Sequence, residues 1–202
     1  MLFLVKLEIA SQFIANLNLG IVYYDTMDYV NGLASFRQAY GYAIFLEDLE
    51  AQSLACDYLV LVSMETKDYS VAKMYLEKRL KIKQTLKDSA SESIILLQLG
   101  ELYLTWKGYS NEEALKYFKS CAELAETSRS EVMLLCYQHM AGIYNTLKDY
   151  ESAMLYYKKA LPLAESSQNQ DAVQSCKFGM GVAEGNIRMN NVIKSRTRTM
   201  TI

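Results

Sequence analysis

Proline and histidine are nearly absent from this sequence of 202 residues, which contains one of each. Proline removes a backbone donor and ends or kinks helices, so its scarcity predicts long helices and an all-α fold. The four cysteines, Cys56, Cys121, Cys136 and Cys176, show no Cys-x-x-Cys spacing. One histidine and scattered cysteines provide no set of metal ligands, so we expect no metal and no cofactor.

The sequence also lacks a hydrophobic segment of the kind that crosses a membrane or directs secretion. Its most apolar stretch is residues 1–15, but Lys6 and Glu8 interrupt it and no basic segment precedes it. All four cysteines fall within apolar helical patterns, which predicts buried free thiols and a reducing compartment. We therefore expect a cytoplasmic protein that does not interact with membranes.

Positive charge is concentrated at the end of the chain. Four basic residues and no acidic residue occur from Ile187 onwards, and subtracting them from the totals leaves 17 basic against 23 acidic residues in 1–186. This acidic balance is unfavourable for contact with a phosphate backbone, so nucleic acid is not an expected partner. Residues 190–202 lose the helical periodicity and are predicted to form a flexible basic tail.

Catalytic motifs are absent as well. No Gly-x-Gly-x-x-Gly, no phosphate-binding loop with its lysine and no His-Glu-x-x-His occurs. Residues 178–185, FGMGVAEG, are rich in glycine but follow no predicted strand and contain no lysine. Cys136 lies three residues before His139 on one predicted helix, which leaves a Cys–His enzyme as a remote alternative. We expect no enzyme activity and interpret His139 as a residue that lines a groove.

The sequence does contain a repeated motif. Residues 65–80 read ETKDYSVAKMYLEKRL, and residues 146–161 read TLKDYESAMLYYKKAL. The tyrosines of these phrases belong to a series with steps of 40, 40 and 41 residues: Tyr29, Tyr69, Tyr109 and Tyr150. A small residue recurs at a similar step, at Gly20, Val60, Gly100, Ala141 and Gly181. Such periods are typical of solenoids, in which stacked repeats bury the apolar faces that one repeat alone leaves open.

Each repeat resembles the tetratricopeptide repeat, a pair of helices A and B. That family has Leu-Gly-x-x-Tyr in helix A, an acidic residue or glycine with a tyrosine in the turn, and Ala-x-x-x-Phe/Tyr-x-x-Ala in helix B. The first repeat matches at Leu19, Gly20, Tyr23, Tyr29, Phe36 and Ala39. The fourth matches at Met140, Ala141, Tyr144, Tyr150, Ala153, Tyr157 and Ala160.

Two departures from the family pattern qualify this resemblance. The family's proline after helix B is missing, and the period of about 40 exceeds the family's length of about 34. Long repeats of this kind are similar to those of kinesin light chains, of the spindle-orientation adaptor family and of several ciliary proteins. The resemblance implies a right-handed α-solenoid of antiparallel helix pairs, a tetratricopeptide-like superhelix, over residues 1–189. Its predicted repeats are about 10–48, 49–88, 89–128 and 129–168, with a terminal helix at 170–189.

In this family the A helices line a concave groove that binds partners. The residues predicted to face that groove are Asn18, Ile21, Tyr24, Asp57, Tyr58, Leu61, Gln98, Glu101, Gln138, His139 and Asn145. None is a lysine or arginine, so the clamp with which some members bind the acidic C-termini of heat-shock chaperones is missing. Amides suit the main chain of an extended peptide, aliphatic residues suit its side chains, and the acids favour a neutral or basic segment. For each aliphatic residue, packing against a neighbouring helix is the alternative.

Helix B of the second repeat is rich in positive charge. Its basic residues are Lys73, Lys78, Arg79, Lys81, Lys83 and Lys87. Because B helices lie on the convex side of such solenoids, a solvated face is the simplest interpretation. A docking patch for an acidic surface such as tubulin is the sharper hypothesis.

The resemblance implies a non-catalytic scaffold for protein–protein interaction. We expect a structural or adaptor subunit of a cytoskeletal or ciliary (axonemal) hetero-complex, located in the cytoplasm, at the cytoskeleton or in the cilium. Its expected partners are proteins, with an extended peptide or a helix in the groove, and include tubulin or subunits of dynein-type assemblies. A soluble peptide-binding adaptor for cargo or signalling is the alternative.

Overall fold

The computed structural model describes residues 2–106, 110–125 and 130–199. Within these ranges the chain forms helices joined by short turns and contains no strand, which confirms the all-α prediction. The helices are α1 (Leu2–Asp25), α2 (Tyr29–Phe45), α3 (Leu49–Glu65), α4 (Tyr69–Leu86), α5 (Ser89–Thr105), α6 (Asn111–Ala125), α7 (Ser130–Thr146), α8 (Tyr150–Ser166) and α9 (Gln170–Thr199).

The chain divides into two compact units, Met1–Leu102 and Tyr103–Ile202. In the first unit α1 packs on α2, α2 on α3, and α3 on α4. In the second unit α6 packs on α7, α7 on α8, and α8 on α9, while α7 also contacts α9. Within each unit these helices therefore pack on the next one along the chain, as the pairing of A helices (odd numbers) with B helices (even numbers) requires.

Six turns share one geometry. In each, a residue with positive φ ends one helix, and the next residue is an aspartate or asparagine that caps the following helix. Between α3 and α4, for example, Lys67 has φ 59° and Asp68 accepts a hydrogen bond from the backbone N–H of Val71 at 3.3 Å. The capping residues are Asp28, Asp48, Asp68, Asp88, Asp149 and Asn169. A side-chain oxygen at this position satisfies one of the backbone donors that a helix start leaves open.

The repeating tyrosines occupy equivalent positions at helix starts. Tyr29, Tyr69 and Tyr150 are the first residues of α2, α4 and α8, and all three are half-buried. Tyr109, the remaining member of the series, lies outside the described residues. The aspartate before each of the three described tyrosines is thus a helix cap. This explains why the Asp-Tyr pair recurs at every described A-to-B turn.

An aromatic residue eight positions into helix B connects consecutive repeats. Phe36 stacks on Tyr58 with ring centroids 4.9 Å apart at 13°, and Phe118 stacks on His139 with the same distance and angle. Phe36 also covers Gly20, where an added Cβ would lie 2.5 Å from the ring. The small-residue position of helix A is therefore a close helix contact in the first repeat, as its period predicts.

The last helix departs from the sequence prediction in two ways. First, α9 continues to Thr199, ten residues beyond the predicted end at 189, because no proline follows and no later glycine interrupts the segment after Gly185. Second, Gly181 is exposed, with no atom within 4 Å of an added Cβ. Gly179 is the glycine that packs tightly, since an added Cβ there would meet the ring of Tyr157.

Candidate partner-binding site

The residues predicted to line the groove differ in exposure within the first unit. Asn18 and Leu61 are exposed, whereas Ile21 is half-buried. Tyr24 of α1 lies beside Glu65 of α3, and burial followed by this carboxylate raises the pKa of the Tyr24 hydroxyl. Two neighbouring A helices are therefore in contact at this point.

Arg79 contacts two of the predicted groove residues, although the sequence predicted it on the convex side. Its guanidinium donates to Asp57 Oδ1 at 2.6 Å and to Gln98 Oε1 at 3.2 Å, so it connects α3 with α5. The interpretation of Arg79 as part of a convex patch is wrong for this reason. The register of the B helices contained a signal, because the equivalent residues are Ala39, Cys121 and Ala160, all fully buried. A long side chain in a buried position has to extend to polar groups on neighbouring helices.

The other basic residues of α4 also form specific contacts. Lys83 is only 7% exposed and pairs with Glu50 at 2.6 Å and Asp88 at 3.5 Å, so it is not available to an acidic surface. Lys78 lies over the rings of Tyr40 and Tyr75, 5.1 Å from each centroid, and Lys73 pairs with Glu77. Lys81 and Lys87 are exposed. The structure therefore does not bring the six basic residues together as one patch.

Gln138 and His139, two of the predicted groove residues of the second unit, do come together. They line an open pocket of about 290 Å³, which we call the α7 pocket. Its lining residues are Leu104, Asn111, Gln138, His139, Gly142, Ile143 and Thr146. Helix α7 supplies five of the seven because these positions recur at three- and four-residue spacing along one side of the helix. Gly142 leaves open space at the pocket, with no atom within 4 Å of an added Cβ.

The polar groups of the α7 pocket differ in how firmly they are held. Gln138 donates to Cys176 Sγ at 3.7 Å, and the Thr146 hydroxyl donates to the carbonyl of Gly142 at 2.9 Å. His139 is fixed by its stacking on Phe118. On the same helix, Asn145 has a buried Oδ1 with no hydrogen-bond partner among the described residues. In the first unit, the remaining predicted residue, Glu101, is half-buried.

The cysteines are poorly suited to act as nucleophiles. All four are free and buried, as predicted, and Cys136 is fully buried beside the helix surface that carries His139. Burial raises the pKa of the Cys56 thiol to about 11 and also raises that of Cys176, so both remain protonated at neutral pH. Across the described ranges, no cluster of histidine, cysteine and carboxylate residues could hold a metal ion. Likewise, none of the described helices is both long and apolar enough to span a membrane.

Solved structures provide the comparison with known proteins, since no family model and no curated protein matches this chain. A signal transduction ATPase with numerous domains and a tetratricopeptide repeat sensor, from Pyrococcus horikoshii, matches 85% of this chain at 19% identity with a TM-score of 0.74. Aspartyl phosphate phosphatase F from Bacillus subtilis matches 92% at 17% identity with a TM-score of 0.71. This chain has the tetratricopeptide-repeat fold.

A third tetratricopeptide-like structure extends over nearly all of both chains. The nearly identical TPR-like repeats assigned to a kinesin light chain of Podosopora anserina match 94% of this chain at 14% identity, with a TM-score of 0.65. This chain covers 97% of that structure, but 27% of the Pyrococcus horikoshii protein and 50% of the Bacillus subtilis protein. This chain therefore spans about a quarter and about half of those two proteins.

Proposed function

We propose that this chain is a non-catalytic protein-interaction scaffold whose second unit binds an extended segment of a partner protein in the α7 pocket. The observation that carries the proposal is the composition of that pocket. Asn111, Gln138 and Thr146 offer polar groups, and Leu104 and Ile143 offer apolar surface. Amide side chains can both donate to and accept from a peptide backbone, and apolar surface receives alternate side chains.

The charge of the site fits a neutral or basic segment. No lysine or arginine lines the α7 pocket, and a second opening of about 260 Å³ shares Gln138 with it and carries Glu131 at its edge. Leu134 and Leu135 also line this opening. A segment that passes both openings would meet amides, aliphatic side chains and one acid, so a strongly acidic ligand is disfavoured.

The more specific role that we propose is a structural or adaptor subunit of a cytoskeletal or ciliary assembly. It is supported by the long repeats and by the similarity to repeats assigned to a kinesin light chain, which extend over almost the same length. On this proposal the purified chain co-sediments with microtubules or with isolated axonemal subunits. If it binds neither, the assembly role is wrong and the adaptor alternative is favoured.

The alternative role is a soluble adaptor that captures a peptide reversibly. A Rap protein in complex with competence and sporulation factor supports it, since that fold matches 94% of this chain at 16% identity with a TM-score of 0.60. Both roles require the same binding site. They differ in the partner, and the site can be tested without knowing it.

A displayed library of random peptides tests the α7 pocket directly. Peptides selected on the wild-type chain are measured against Gly142→Leu, which places a side chain in the open space of the pocket, and against Gly181→Leu. Gly181 is a matched control because it is also a helical glycine with no atom within 4 Å of an added Cβ. We expect Gly142→Leu to weaken binding roughly tenfold or more, as for loss of a well-packed contact, and Gly181→Leu to bind like wild type. Selected peptides that bind both variants equally well would refute the site.

A further inference from the structure

A third opening in the second unit lies among α6, α7 and α8, and its lining differs in chemistry from that of the α7 pocket. This α6–α8 pocket has a volume of about 220 Å³. Lys119 and Glu123 of α6 and Lys159 of α8 stand at its edge, and Tyr137 and Tyr156 form aromatic walls. It shares no lining residue with the α7 pocket. The two openings can therefore be altered independently.

The first unit contains a similar group of side chains. Counted from the helix starts, Lys78 and Tyr75 of α4 correspond to Lys159 and Tyr156 of α8, and Tyr40 of α2 corresponds to Ala122 of α6. In the first unit the Tyr40 ring packs edge-on to Tyr75 at 6.1 Å and lies under the Lys78 ammonium. In the second unit the Tyr137 ring of α7 takes this role, 6.0 Å from Tyr156 and under the Lys159 ammonium. The ring beside the lysine thus comes from α7, and Ala122 leaves the α6 side of the pocket without a ring.

Both lysines of the pocket are exposed, and the Lys159 ammonium is held over two aromatic rings. The Lys159 ammonium lies 5.6 Å from the Tyr137 centroid and 5.4 Å from the Tyr156 centroid, a geometry that fixes its direction. Neither Lys119 nor Lys159 forms an ion pair with a carboxylate in the part of the chain that the structure describes. Burial raises the pKa of Tyr156, and its ring stacks on Tyr144 at 5.4 Å, so this wall stays neutral and rigid.

We propose that the α6–α8 pocket is a second docking site, which receives a glutamate or aspartate side chain of a partner protein between Lys119 and Lys159. Two ammonium groups without carboxylate partners among the described residues provide the attraction, and the rings of Tyr137 and Tyr156 orient the Lys159 ammonium. Glu123 reduces the net charge of the pocket edge to one positive charge, which matches a single carboxylate better than a phosphate group of about −1.5 to −2. The α6–α8 pocket thus prefers an acidic segment, whereas the α7 pocket prefers a neutral or basic one.

The probe is a blocked tetraglutamate peptide, titrated into the full chain at low salt and followed by amide NMR shifts and fluorescence anisotropy. We expect Lys119→Gln and Lys159→Gln each to weaken binding roughly tenfold, the loss of one charge-assisted hydrogen bond. Ala122→Tyr should have the same effect by placing a ring in the pocket, because Ala122 lines it. Lys158→Gln is the matched control, because Lys158 is an exposed lysine on the same helix that does not line the pocket.

The outcomes separate this proposal from its competitors. Equal weakening by Lys158→Gln and Lys159→Gln would mean non-specific attraction and would overturn the proposal. A tetraphosphoserine peptide that binds more tightly than tetraglutamate, with the same dependence on Lys119 and Lys159, would overturn the choice of a carboxylate. Should Ala122→Tyr not fold, as judged by circular dichroism, the two lysine variants still decide. Gly142→Leu should leave tetraglutamate binding unchanged, so a failure of the α7 pocket is distinguishable from a failure here.

Discussion

At the scale of single residues, each of the six turns has a non-glycine residue at a backbone position that favours glycine. The residues with positive φ are Met27, Glu47, Lys67, Lys87, Lys148 and Gln168, and none is glycine. The left-handed conformation brings Cβ close to the backbone in every residue except glycine. In the turn before α4, the Lys67 N–H donates to the Met64 carbonyl and the Asp68 N–H to the Ser63 carbonyl. In this hydrogen-bond pattern the residue with positive φ, here Lys67, is usually glycine.

We expect Lys67→Gly to stabilise the chain by ~0.5–1 kcal/mol, because relief of the strained conformation outweighs the added freedom of the unfolded chain. Chemical denaturation followed by circular dichroism measures this change. Lys81→Gly is the control, since Lys81 is an exposed interior residue of α4, where glycine costs about 1 kcal/mol. A loss of stability in both variants would contradict the assignment of the turn geometry.

Asp88 makes the stability of the chain depend on pH. Hydrogen bonds from Ser91, and then the nearby Lys83, lower the pKa of the Asp88 carboxyl below its usual value. In acid the unfolded chain therefore takes up a proton at this residue before the folded chain does, and stability falls as pH decreases. The contribution is complete above the unfolded pKa of about 3.9 and is lost as pH falls through the lower folded value. We expect Asp88→Asn, which keeps a capping oxygen, to lose less stability than wild type between pH 5 and pH 2 in urea titrations. Parallel curves would contradict this role.

Residue identity predicted the caps only in part. The aspartate before Tyr29, Tyr69 and Tyr150 was visible in the sequence as a turn signal, but its role as a cap depends on where the helix begins. The register of the B helices marks the position of Arg79 as buried, but spacing could not predict which polar groups its guanidinium reaches. Only the structure provides Asp57 and Gln98 as its partners.

At the scale of helices, the contact between paired A and B helices depends on the small-residue position. Gly20 has no room for a Cβ, since the fully buried ring of Phe36 lies 2.5 to 2.8 Å from it. We expect Gly20→Ala to destabilise the chain by ~1–3 kcal/mol through overpacking. Gly142→Ala is the matched comparison in open space, and there alanine should stabilise α7 by ~0.5–1 kcal/mol. Thermal melts of both variants that shift in the same direction would contradict this helix contact.

Helix existence and type followed from periodicity, whereas helix ends and packing partners did not. The period placed Gly181 at the small-residue position, but the structure has no helix packed over it, and Gly179 contacts Tyr157 instead. The corresponding surface of α9 is polar. Glu184 and Lys177 stand where α7 has Tyr144 and Tyr137, and Glu184 pairs with Arg188 at 2.6 Å. These charged residues were visible in the sequence and marked the side of α9 that faces solvent.

At the scale of the whole molecule, repetition decided what could be predicted. Four copies of one sequence motif specify the tetratricopeptide fold because each repeat must bury the same apolar positions. The binding residues are free of that constraint and vary from repeat to repeat, so their partners cannot be inferred from the period. The α6–α8 pocket combines differences at two positions, Ala122 in place of a tyrosine and Tyr137 in place of the cysteine of α3, and no pattern within one repeat indicates it.

The central claim is that the second unit binds a partner segment through the side of α7 that lines the α7 pocket. Amide NMR of the isotope-labelled chain, titrated with a peptide selected on it, tests this claim most directly. We predict that the largest shift changes occur at Gln138, His139, Gly142 and Thr146, and that they disappear in Gly142→Leu. Changes confined to α8 and the outer side of α6, or changes that persist undiminished in Gly142→Leu, would contradict it.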